Sequence, residues 1–253
     1  MSPVEAKHIL RRLLLFPYQL CILLLFVLLA VFWGLGSCLA SLFDASGNKS
    51  HRCLTYWAKI NLALTGLRVQ IEGLEYLDPK QRYIFMPNHA SFLDILLAFA
   101  YIPFNFRIIT KEKIFCIPLM GWALKWSRQI PMDRANPRKG LASLRQALNL
   151  LQEGISIVVF PEGTRTLDGK IKDFKATLFI LPIRSGIPVV PVRIEGTFAA
   201  LKRGSILLNP VPLKITFYRP IPAGSFKDRD RWRYAKKVQE VLSSSPDPTL
   251  SAS

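Results

Sequence analysis

Residues 13–43 run without one charged side chain, from "LLLFPYQLCILLLFVLL" into "AVFWGLGSCLASLF". A helix needs about 20 apolar residues to cross a bilayer core, so the run predicts an N-terminal hydrophobic helical membrane anchor. A cleaved secretory signal does not fit, because its apolar region is only about 7 to 15 residues long. The "LGSC" at 35–38 also has the small-residue-then-cysteine pattern of a lipid-modified cysteine. Arg11 and Arg12 before the run favour a cytoplasmic start, and the basic chain after residue 50 favours the cytoplasm too. A single crossing cannot satisfy both. Gly34, Gly36 and Ser37 offer a place to break the helix, so the expectation is a monotopic or re-entrant anchor. Both its ends would lie on the cytoplasmic face, of the inner membrane in a bacterium. In "SHRCLTYWAKINLALTGL", Cys53, Trp57, Ile60 and Leu64 share a helical stripe, with Arg52, Lys59, Tyr56 and Trp57 suited to headgroup level. An ordinary core-facing helix fits that stretch equally well.

The charge balance narrows the partners. Lys and Arg outnumber Asp and Glu by 34 to 17, and a net +17 favours anions such as anionic lipid or phosphorylated substrates. No interleaved aromatic and basic motif points to nucleic acid. Cysteines 21, 38, 53 and 116 show no paired spacing, and histidines 8, 51 and 89 assemble no imidazole cluster, so neither a metal nor a disulfide framework is expected.

Beyond residue 66 the pattern changes. The runs "RYIFMP", "FRIITK", "SIVVFP", "PVVPVRIE" and "LKITFY" read as strands. Between them lie helices, the clearest over 137–152, with Asn136 as cap, Pro137 at the first helical position and Gly154 as the stop. Its expected apolar stripe is Leu141, Leu144, Leu148 and Leu151. The alternation implies an α/β fold, a mixed sheet covered by helices on both faces. The expected organisation is 1–66 for the anchor and interfacial helices, 67–243 for one α/β domain, and 244–253 for a disordered tail.

Two junctions in that domain carry chemistry. "NHASFLD", 88–94, follows the strand "YIFM" and precedes a helix beginning near Ser91, so "NHA" is a turn at a strand's carboxyl end, where open α/β sheets bind ligands. Ser91 and Asp94 are spaced as a helix cap and its third residue. Equally, a carboxylate one turn beyond a turn-borne imidazole can hold one nitrogen of His89 and leave the other as a base. At the second junction "SIVVF" ends in "PEGTR", where Gly163 allows close backbone approach and Arg165 offers a planar fork for phosphate oxygens.

In this order the motifs resemble the 1-acylglycerol-3-phosphate acyltransferase family over residues 83–192. His89 and Asp94 match its H-x-x-x-x-D motif, "FPEGTR" at 160–165 its third motif and "IPVVPV" at 187–192 its fourth. The second motif departs from the family pattern: Arg128 stands at a glycine position and Pro131 at a phenylalanine position, with Arg134 retained. Thr177 replaces a frequent glycine. The resemblance implies transfer of a fatty acyl group to the sn-2 hydroxyl of lysophosphatidic acid, giving phosphatidic acid. The acyl donor would be a thioester of coenzyme A or acyl carrier protein as co-substrate, with no further cofactor. His89 would be the general base and Asp94 its orienting partner. Lys111, Arg134 and Arg165, with Glu162, Gly163 and Thr164, would bind substrate, and membrane lipids would be the surroundings. The altered second motif leaves open another acceptor, glycerol-3-phosphate or another lyso-lipid, or a non-catalytic protein binding anionic lipid. No G-x-S-x-G elbow is present, so direct transfer without an acyl-serine is expected.

Overall fold

The computed structural model describes residues 3–133, 136–205 and 207–244. The tail expected to be disordered therefore lies, but for its first residue, outside the described residues. One seven-stranded sheet organises the chain: β1 (Val69–Glu72), β2 (Ile84–Pro87), β3 (Phe106–Lys111), β4 (Ile130–Met132), β5 (Ser156–Val159), β6 (Val189–Glu195) and β7 (Leu213–Phe217), in the order β1-β7-β6-β2-β5-β3-β4. Neighbours run parallel except β6 and β7, which are antiparallel, so the sheet is mixed as expected. Every residue of β2 and β5 is buried. Covered on both faces, these central strands read as unbroken apolar runs rather than as alternation. Five strands were legible for that reason. The two edge strands, β1 and β4, were not: "VQIE" is half exposed and "IPM" is three residues long.

Helices cover both faces. One core cluster joins α1 (Pro3–Leu42), α2 (Asn48–Leu64), α3 (Leu93–Tyr101) and α4 (Met120–Trp126) to the sheet. The opposite cluster lies under α5 (Pro137–Gln152), α6 (Ile180–Ser185) and α8 (Arg231–Ser243), while the short α7 (Thr197–Ala200) follows β6. Helix α5 has the expected bounds, and the Asn136 side chain accepts the backbone N–H groups of Arg138 and Lys139. Its inward side overlaps the expected leucine stripe: Leu151 is buried and Leu144 and Leu148 pack on the core beside Ser143, Ala147 and Leu150, while Leu141 is 55% exposed. The Ser143 hydroxyl donates to the Pro131 carbonyl, so small residues bring the helix close to β4.

Two expectations for the N-terminal region need correction. First, α1 does not break at Gly34–Ser37; it continues to Leu42. The glycines serve close packing instead. A Cβ on Gly34 would touch Leu119 at 3.5 Å, and one on Gly36 would touch the Cys53 sulfur at 3.9 Å. The chain reverses over 43–47, where Gly47 (φ 74°) passes so near the Trp126 carbonyl that a Cβ would lie 2.8 Å from its oxygen. Second, of the Cys53, Trp57, Ile60 and Leu64 stripe Trp57 alone is buried, so the stripe is not the buried side of α2. That side carries Ser50, His51, Leu54, Trp57, Ala58 and Asn61, and α2 is core-facing. Polar residues in the core hid the pattern. The His51 ring packs on Phe99 and Phe106, and the Asn61 amide donates to the Trp57 carbonyl. Burial, then the Arg107 charge, pushes the His51 imidazole down to about 3. Fully buried Arg107, at the start of β3, donates to the Ser46 carbonyl and the Asn48 side chain, clamping the α1–α2 turn to the sheet.

Helix α1 packs lengthwise on this scaffold. Phe26 meets Trp57 and Phe92, Trp33 stacks on Tyr56, and the Tyr18 hydroxyl reaches the Leu64 carbonyl. Its other side is bare: Leu24, Leu28, Phe32, Leu35, Leu39 and Leu42 are each more than half exposed. By length and composition Leu20–Leu42 could cross a membrane.

Candidate active site

The site is built at the carboxyl ends of β2 and β5, which are neighbours in the sheet. Beyond Pro87, the Asn88 carboxamide continues the ladder to β6 as a peptide would: Oδ1 accepts from the Ile194 N–H at 2.7 Å and Nδ2 donates to the Ile194 carbonyl at 3.0 Å. The chain is then free to turn, and His89 sits at that turn. Its Nδ1 lies 2.9 Å from Asp94 Oδ2. The same oxygen accepts the backbone N–H groups of Ala90 at 2.6 Å and Ser91 at 2.8 Å. Three donors thus converge on one oxygen of a carboxylate that is wholly buried, while Oδ1 has no partner among the described residues. Asp94, in the first turn of α3, both ties the 90–91 turn to the helix start and contacts the His89 ring, two roles read from the sequence as alternatives. The Ser91 hydroxyl accepts the N–H of Leu93, the first residue of α3, at 3.4 Å and donates to the Leu201 carbonyl at 2.7 Å.

The second loop locks onto the first. Glu162 Oε1 accepts the His89 N–H at 2.6 Å, Oε2 accepts the Lys172 N–H at 2.9 Å, and the Thr166 N–H donates to the His89 carbonyl at 2.9 Å. Each Glu162 oxygen accepts one backbone N–H and the residue is 4% exposed, so its carboxylate ties the two loops together. Burial raises it to about 6, against the lowering pull of those two N–H groups. Gly163 (φ 77°) makes the turn, its N–H donating to the Phe160 carbonyl. The His89 ring stacks on Phe160 with centroids 4.1 Å apart and is 13% exposed. With Nδ1 bound to Asp94, Nε2 has no partner among the described residues.

A cavity of about 620 Å³ opens beside His89, with Lys111, Lys113, Arg165 and Arg203 in its lining. Gly163 and Thr164 also line it, so Lys111, Gly163, Thr164 and Arg165 are all brought to His89. Arg134 lies outside the described residues. A second, largely apolar cavity of about 270 Å³ runs beside α1, α2 and α3, lined by Ile22, Phe26, Leu96, Leu201 and Leu208. Phe92 and Arg165 border both cavities. The three departures from the family pattern are not in either lining. Arg128 (φ 55°) is held by both oxygens of Glu153, Pro131 lies within β4, and Thr177 is exposed on a short 3-10 turn.

The sequence model of the Acyltransferase family matches residues 68–195, half of the chain. The chain belongs to the acyltransferase family. The chloroplastic 1-acyl-sn-glycerol-3-phosphate acyltransferase of Arabidopsis thaliana is 34% identical over 183 residues, covering 71% of this chain and 51% of that protein. The corresponding protein of Saccharomyces cerevisiae is 27% identical over 194 residues, covering 76% and 63%. This chain therefore spans about half to two-thirds of the length of these curated relatives. A crystal structure of the 1-acyl-sn-glycerophosphate acyltransferase PlsC from Thermotoga maritima superposes with a TM-score of 0.74 at 25% identity, covering 92% of this chain and 94% of that one. Within this acyltransferase-family fold, sequence reasoning missed Asn88 and Arg203. An asparagine directly after a strand-ending proline was a usable signal for the first. Arg203 gave none, for it reaches the cavity on a loop more than a hundred residues from His89.

Proposed function

We infer that this protein transfers a fatty acyl group from a thioester of coenzyme A or acyl carrier protein to the sn-2 hydroxyl of 1-acylglycerol-3-phosphate, giving phosphatidic acid. The observation that carries the reading is the His89 Nδ1 to Asp94 Oδ2 contact of 2.9 Å at the wall of a cavity lined with cations. An alcohol is a weak nucleophile at neutral pH. His89 Nε2 takes its proton as the oxygen attacks the thioester carbonyl, and Asp94 stabilises the imidazolium that forms. The tetrahedral intermediate then collapses, the carbon–sulfur bond breaks and the thiolate leaves, taking the proton back from the imidazolium. No acyl group rests on the protein. Arg165 and Lys111 hold the acceptor's phosphate, which sets its hydroxyl beside His89. The apolar cavity toward α1 suits an acyl chain, because it joins the site to the helix with the bare apolar side.

Membrane attachment is read as monotopic, on the cytoplasmic face. Helix α1 is held against α2 and α3 along its apolar length, so it cannot cross a bilayer free of the domain. Burying the exposed stripe of six large side chains in lipid is favourable by on the order of 10 kcal/mol. That is enough to hold the domain at the surface where lysophospholipid and product reside.

The test is acyl transfer by detergent-solubilised protein from palmitoyl-thioester to lysophosphatidic acid, glycerol-3-phosphate and phosphate-free lyso-lipids. Selective acylation of lysophosphatidic acid is expected. Transfer to another acceptor alone would displace it as the substrate, and transfer to none would reject the reading.

A further inference from the structure

We propose that Arg203 binds the phosphate monoester of the acyl acceptor from the wall facing Lys111, and that it sets a preference for a monoester over a headgroup-bearing diester. The inference rests on the functional reading above and adds to it a residue outside the sequence motifs.

Lys202 to Ser205 form a β-turn in which the Ser205 N–H donates to the Lys202 carbonyl at 3.1 Å. Its third position is Gly204 at φ 81°, a conformation that favours glycine. Successive residues of this turn serve different cavities: Lys202 lines the apolar one and Arg203 the cationic one. The loop is held in place. At its base the Asn209 N–H donates to the Ala200 carbonyl and the Asn209 side chain to the Ala199 carbonyl, while Ser91, two residues from His89, donates to the Leu201 carbonyl.

The sheet order gives the direction of approach. β6, from which the loop follows, borders β2 on one side, while β5 and β3 lie on the other. Arg203 therefore comes to His89 from one flank, and Arg165, Lys111 and Lys113 come from the other. The acidic groups of the cavity do not neutralise them. Glu112 is bound by the Lys139 ammonium at 3.0 and 3.1 Å, and Asp133 lies 3.8 Å from the same group. Lys111, Lys113, Arg165 and Arg203 make no ion pair among the described residues.

A phosphate monoester carries about −1.5 to −2 charges at pH 7 and three terminal oxygens. Cations converging from two flanks can engage all three. A diester has one charge and two free oxygens, with its headgroup where the third oxygen would meet Arg203. The planar guanidinium fork is suited to that contact.

The experiment is steady-state kinetics on the full chain with Arg203→Ala and Arg203→Lys, varying lysophosphatidic acid, its ethanolamine diester and the thioester separately. Arg203 is exposed, so the variants should fold. Arg203→Ala is expected to raise KM for lysophosphatidic acid about tenfold, the scale of one charge-assisted hydrogen bond. Donor KM should stay within about twofold, and the monoester-to-diester ratio of kcat/KM should fall by about the same tenfold, with part of the loss recovered by Lys. An unchanged acceptor KM, or a rise confined to the donor, overturns the inference while leaving the acyltransferase reading intact. Calorimetric binding of short-chain lysophosphatidic acid to the same proteins separates the two claims. Arg203-dependent binding by a chain that transfers no acyl group would keep the inference and sink the reading.

Discussion

His89→Ala should lower acyl transfer to lysophosphatidic acid about a thousandfold, the scale of a positioned general base, and leave a folded protein. The side chain sits at the rim of the cavity, 13% exposed, and its ring contributes one stacking contact with Phe160. The backbone bonds that shape the turn, from the His89 N–H to Glu162 and from the Thr166 N–H to the His89 carbonyl, do not involve the imidazole. The loss should thus fall on kcat, with substrate KM values within about threefold, because the phosphate-binding cations remain. Circular dichroism and a melting curve beside the assay check the fold. Residual activity above about a tenth of wild type would remove His89 from the role of base.

Asp94→Asn has the second-largest expected effect and separates charge from geometry. The two backbone N–H groups of Ala90 and Ser91 pin an oxygen where Oδ2 now lies, so the carboxamide must keep its oxygen there and place its nitrogen where Oδ1 lies. His89 Nδ1–H can still donate to that oxygen, and the productive tautomer survives. What disappears is the negative charge facing the imidazolium. A fall of about a hundredfold in kcat is expected, smaller than for a change that also reverses the tautomer. The amide nitrogen, buried where Oδ1 has no partner among the described residues, should cost about 1–3 kcal/mol of stability. Asp94→Ala strands three donors at once and should be worse on both counts. If Asp94→Asn matched wild-type turnover, Asp94 would be a helix cap and nothing more.

The division between what was and was not legible in the sequence follows from physical pattern. Central strands covered on both faces write themselves as apolar runs, and a proline after asparagine's cap marks a helix start, so β2, β3, β5, β6, β7 and α5 could be read. Edge strands have no such run, and β1 and β4 went unseen. Helix α2 misled because His51 and Asn61 lie in the core, His51 packed on Phe106 from the sheet and Asn61 bonded back to the Trp57 carbonyl of its own helix. Glycines at 34 and 36 looked like a break, yet close helix packing asks for the same residue. At the site, His89, Asp94 and the "PEGTR" loop were visible because each follows a strand. The sequence could not separate a Glu162 that touches substrate from one that ties two loops, since the difference lies in which backbone N–H groups happen to face its oxygens. Arg203 depends wholly on tertiary placement.

Direct attack by the acceptor hydroxyl, activated by His89, is the centre of this account. The most direct test mixes excess protein with labelled palmitoyl-thioester in the absence of acceptor, quenches under denaturing conditions and measures label on the chain. The account predicts no stoichiometric acyl-protein, and labelled phosphatidic acid only once lysophosphatidic acid is added. An acyl group covalently held at one per chain, and discharged by acceptor, would contradict it.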